Sequence, residues 1–106
     1  MPVLLKETFK AWIDHMSGDG PKLIVVGEVQ VPTMGWYVKL TRRVAQGINP
    51  NILILDVTAE RPLDKAGETT TTIPLRYEER PPGRLYTQVM ITSGIYIVMI
   101  DVGHAH

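Results

Sequence analysis

The stretch Leu85-Tyr86-Thr87-Gln88-Val89-Met90-Ile91-Thr92-Ser93-Gly94-Ile95-Tyr96-Ile97-Val98-Met99-Ile100-Asp101-Val102 decides how this chain is read. Successive side chains of a strand point to opposite faces, so a period of two is the strand signature. Leu85, Thr87, Val89 and Ile91 fall on one face, and Tyr96, Val98, Ile100 and Val102 on one face of a second run. Ser93-Gly94 between them is a hairpin signal, since glycine supplies the positive φ that two-residue turns require.

The same period recurs upstream. Lys22 to Val31 places Leu23, Val25, Gly27, Val29 and Val31 on one side, with Glu28 and Gln30 on the other. Trp36, Val38 and Leu40 alternate with Tyr37, Lys39 and Thr41. Leu53, Leu55, Val57 and Ala59 share a face, as do Thr71, Ile73, Leu75 and Tyr77. The runs are divided by Pro32-Thr33-Met34-Gly35, Gly47-Ile48-Asn49-Pro50, Arg61-Pro62 through Gly67, and Arg80-Pro81-Pro82-Gly83, whose prolines and glycines interrupt a ladder. Six short strands at this spacing predict an all-β sandwich or barrel rather than βαβ units.

Residues 4–16 admit two readings. As a helix, Leu5, Phe9, Trp12 and Met16 share a face and Gly18 is the stop. As a strand, Leu5, Phe9, Ala11 and Ile13 share a face with Glu7, and 17–21 become a hairpin loop. The strand is preferred because it completes an immunoglobulin-like β-sandwich of about seven strands; the alternative is an N-terminal helix packed on a six-stranded sandwich. The expected core is Trp36, Val38, Leu55, Val57, Leu75, Val89, Ile91, Val98 and Ile100.

The 106 residues fit a single domain, 1–106, large enough to bury a core without disulfides. The absence of cysteine excludes disulfides, thiolate metal sites and thiol nucleophiles. Eleven basic residues balance eleven acidic ones, so no net field draws the chain to nucleic acid or anionic lipid. Lys39, Arg42 and Arg43 cluster without the interleaved aromatics of a single-strand platform. Glu7 interrupts any apolar leader and no run reaches membrane-spanning length. The expectation is a soluble protein, cytoplasmic by default, with a secreted or periplasmic location left open.

Several constellations invite chemistry. His104 and His106 project to one side of a strand, with Asp101 near, and imidazole is a common metal ligand; two histidines at a chain end make only part of a shell, and no metal or other cofactor is expected. Asp14-His15-Met16-Ser17 contains the residue types of a hydrolase triad, but consecutive residues do not converge as a triad must. Glu78 and Glu79 are adjacent on a strand and point apart, which suits ion pairs better than paired acid–base work. No nucleotide-binding glycine loop or nucleophile elbow occurs.

The loop Pro32-Thr33-Met34-Gly35-Trp36 stops one strand and restarts another at an aromatic, a position where binding residues sit. Its Pro-Thr-x-Gly-aromatic pattern resembles the Asn-Pro-Thr-Thr-Gly-Tyr loop of chagasin-type cysteine-protease inhibitors, which are immunoglobulin-like domains of about this length. The resemblance covers Pro32, Thr33, Gly35 and Trp36. Val31 stands where that family has Asn, its Gly-x-Gly-Gly loop is missing, and Arg61-Pro62-Leu63 and Arg80-Pro81-Pro82 keep only two letters of its Arg-Pro-aromatic loop. The resemblance implies an inhibitory loop at the end of a sandwich.

Ile95 to Ile100 is apolar at six consecutive positions. One face of a sandwich strand suffices for the core, so Ile95, Ile97 and Met99 require separate cover. The sequence therefore predicts a non-enzymatic binding or protein-interaction domain that self-associates or meets another protein through these residues. The alternatives are a protease-inhibitor-like module using Pro32 to Trp36, and a small enzyme with an unrecognised site.

Overall fold

The computed structural model describes residues 3–16, 18, 20–63, 69–83 and 85–105. In chain order the elements are β1 (Val3–Leu4), a single 3-10 turn (Lys6–Thr8), β2 (Lys10–Asp14), β3 (Lys22–Val31), β4 (Tyr37–Arg42), β5 (Ile52–Glu60), β6 (Thr71–Glu79), β7 (Gln88–Ser93) and β8 (Tyr96–Ala105). The all-β expectation holds, and the N-terminal segment is strand. Phe9, Ala11 and Ile13 are buried at alternate positions, which a helix cannot arrange.

The strands follow one hydrogen-bonded path, β1-β3-β2-β8-β7-β5-β4, with β6 on the other edge of β3. Two pairs are parallel: β2 with β8, and β5 with β7. The second follows from chain order. β6 leaves the layer of β5 to pair with β3, and β7 returns, so β5 and β7 run the same way. β8 is the corner strand. It pairs with β7 over Tyr96–Asp101 and with β2 over Val102–Ala105, joining the β2–β3 part of the sheet to the β7–β5–β4 part. The result is a curled mixed sheet, and β4 comes round against β6.

Side chains from both arms meet in one core. Leu23, Val25 and Val29 of β3 are fully buried with Leu53 and Leu55 of β5 and Val89 and Ile91 of β7. Val38, Val57 and Ile100 are partly buried against this cluster. Gly27 is there for a steric reason: the Phe9 ring lies directly over its Cα, in space that any Cβ would occupy. Beside it Thr8 ties the 3-10 turn to β3, its hydroxyl donating to Leu5 O at 2.6 Å and accepting from Glu28 N–H at 2.9 Å.

Three expectations are corrected. Trp36 is half-buried outside the core, because its indole N–H bonds the Thr33 hydroxyl at 3.0 Å and Arg61 lies over the ring. Leu85 is 89% exposed and Tyr86 takes the buried position, since β7 begins only at Gln88. The hairpin turn is Gly94-Ile95, one residue later than read, because Ser93 pairs with Tyr96; Gly94 carries the positive φ, 58°. No helix among the described residues is long and apolar enough to cross a membrane.

Candidate functional site

Cross-strand partners share a face, so the registers define the outer surface formed by β5, β7 and β8. Met99 stands beside Met90, and Ile97 beside Thr92. Ile97 is 62% exposed, Met99 40% and Ile95, at the hairpin tip, 86%. Ile54 of β5, beside Met90, would extend the patch but is buried. Gln46 pairs with its backbone, the amide nitrogen donating to Ile54 O at 3.0 Å and the oxygen accepting from Ile54 N–H at 2.9 Å, as a neighbouring strand would, and Gly47 lies close to the end of the Ile54 side chain.

Paired polar groups flank this apolar surface. On one side Arg43 chelates Asp56 (2.7 and 3.2 Å), and Thr92 donates to the same carboxylate at 2.6 Å. Arg43, then Thr92, hold the Asp56 carboxyl below its ordinary value. On the other side Gln88 donates to Asp101 at 3.3 Å. An apolar centre with a satisfied polar border is the anatomy of a protein-contact surface.

The loop Pro32 to Trp36 lies at the opposite end of β3 from His15 and His104. Gly35 has a φ of 89° and approaches Pro62, so this loop and the start of the β5–β6 connection stand together. Met34 is 56% exposed, while the Thr33 hydroxyl is occupied by Trp36.

At the other end, Ile13, Pro21, Pro81, Pro82, Leu85 and Tyr86 line a mainly apolar hollow of about 520 Å³, with His15 and His104 also on its wall. Glu79 anchors the adjoining β6–β7 connection. One carboxylate oxygen accepts from Tyr77 at 2.8 Å; the other accepts from Tyr86 at 2.9 Å and from Gly83 N–H at 2.6 Å. Burial pushes the Glu79 carboxyl up, but these hydrogen bonds and the charge of Arg42 outweigh it and leave it below the ordinary range. Burial, then the bond to Glu79, push the Tyr77 phenol well above its usual value. A carboxylate surrounded by three donors is a clamp rather than a proton acceptor for substrate.

Glu78 points the other way, to Lys22 at 3.1 Å and to Arg76, as the sequence suggested. His15 meets His104, not a serine, with Nε2 and Nδ1 2.9 Å apart. His106 and Ser17 lie outside the described residues, and those residues contain no group of three or more metal-ligating side chains. The His15–His104 pair depends on long-range pairing and leaves no local trace in the sequence. The Glu79 clamp is local, with every donor within seven residues, but only the fold of the β6–β7 connection brings Gly83 and Tyr86 back to the carboxylate, and the Tyr77-x-Glu79 same-face spacing is its one local signal. Comparison with known families, with curated proteins and with solved structures finds no match to this chain.

Proposed function

We propose that this chain is a non-catalytic protein-interaction module that self-associates through the outer face of the β7–β8 hairpin. The observation that carries the reading is the exposure of Ile95, Ile97 and Met99 on one surface, flanked by the Arg43–Asp56–Thr92 and Gln88–Asp101 groups. Leaving large apolar side chains in water forfeits about 1.5–3 kcal/mol each relative to full burial. A second copy of the same face would supply that burial, with no net charge to overcome. Sedimentation across a micromolar dilution series tests the reading. Wild type is expected to associate and Ile97→Lys to sediment as a monomer, with Leu63→Lys, at a fully exposed site elsewhere, behaving as wild type. A monomeric wild type would overturn it.

An immunoglobulin-like description of the fold belongs to the same proposal. Two arms, β6-β3-β2 and β4-β5-β7-β8, packed over one core support it, and the parallel β5–β7 pair is the departure from that pattern. One observation favours a second reading, a protease-inhibitor-like module: strand directions bring the β3–β4, β5–β6 and β7–β8 connections to the same end. Inhibition of a papain-like protease, lost on Thr33→Ala and on a bulky residue at Gly35, would support that reading, and no inhibition would remove it.

A further inference from the structure

Two parallel strands bring together imidazoles that are 89 positions apart in sequence. In the β2–β8 ladder Ile13 stands opposite His104, and the next turn of chain is fixed by His15 N–H donating to Ala105 O at 2.9 Å. Both side chains are exposed on the wall of the hollow. Their ring planes differ by 16° and their centroids are 5.2 Å apart, which together with the 2.9 Å N···N contact describes rings meeting edge to edge, nitrogen to nitrogen. Between two neutral imidazoles one nitrogen donates and the other accepts.

We propose that His15 Nε2 and His104 Nδ1 form a two-imidazole site for a borderline divalent transition cation, with Zn²⁺ the ion to test and water completing its shell. Zn–N bonds of about 2.0–2.1 Å in tetrahedral geometry set two ligand nitrogens about 3.3 Å apart. The observed contact therefore has to open by a few tenths of an ångström, and each exposed ring has to turn by roughly 35° so that its lone pair leaves the N···N line and points at a shared ion. The donor ring passes to its other neutral tautomer, so both contact nitrogens present lone pairs and no net proton is lost. Nitrogen donors disfavour Mg²⁺ and Ca²⁺, and the absence of thiolates removes the strongest pull toward soft ions. The rigid parallel ladder prepays part of the ordering that a flexible histidine pair would lose on chelation.

The experiment is isothermal titration of the full chain with zinc chloride, repeated on His15→Gln and on His104→Gln, with circular dichroism to establish that each variant keeps the wild-type strand spectrum. One ion per chain is expected, weakened at least tenfold by either substitution. Cu²⁺ in place of Zn²⁺ should give an electron paramagnetic resonance spectrum with hyperfine structure from two imidazole nitrogens. Absence of saturable binding, or binding retained in either single variant, would overturn the proposal.

Discussion

At the scale of single residues, Gly27 and Glu79 carry consequences out of proportion to their size. Gly27→Ala puts a methyl group into the Phe9 ring, and the ring cannot leave without opening the core. Overpacking of this kind costs about 1–3 kcal/mol, so urea unfolding should show a lower midpoint with an unchanged slope. Glu79 acts through its charge. Its folded-state value lies below the ordinary carboxylate value of 4.5, so its contribution is present above that value and is lost as pH falls through the lower, folded one. Asp56 is shifted in the same direction. Stability measured by urea unfolding should therefore fall as pH is lowered through and below the ordinary carboxylate range, and Glu79→Gln should shallow that decline while lowering stability at neutral pH by about 1–3 kcal/mol, because an amide NH₂ then faces donors.

At the scale of elements, Gln46 substitutes for a strand. Its amide satisfies the backbone of Ile54 on the open side of β5 and also donates to Arg43 O at 2.8 Å. Gln46→Ala should cost about 1–3 kcal/mol and speed hydrogen exchange at the Ile54 amide more than at the Leu53 or Leu55 amides. Strand existence was legible wherever one face is buried: Val25, Val29, Leu55, Ile91 and Val98 alternate as a period of two requires. Pairing was not, because local alternation says nothing about which strand lies alongside. The parallel β2–β8 and β5–β7 ladders, the corner in β8 and the His15–His104 contact all come from partners far apart in sequence. Trp36 misled for a different reason, since a polar N–H and a cation partner let a large aromatic settle half-buried in a loop.

At the scale of the whole molecule, the curled sheet closes one core and leaves apolar side chains exposed on the outer face of the β7–β8 hairpin. β8 faces inward with Val98 and Ile100, and its other face carries Ile97, 62% exposed, and Met99, 40% exposed. The alternation in Ile95 to Ile100 made that division readable in advance, whereas the burial of Ile54 beside Gln46 and Gly47, which limits the patch on its β5 side, was not readable. A self-facing contact of standard size spans roughly 800 Å² per copy and would bring the edges of the two patches within about 30 Å of each other. The chain contains no cysteine, so one introduced thiol can be labelled without ambiguity. The most direct test is dipolar electron resonance on Gln88→Cys carrying a nitroxide, with Leu63→Cys as the comparison. Self-association through the hairpin face predicts an inter-chain distance below about 30 Å for the label at 88, abolished by Ile97→Lys. No dipolar coupling at 88 under micromolar conditions, or coupling that survives Ile97→Lys, would contradict it.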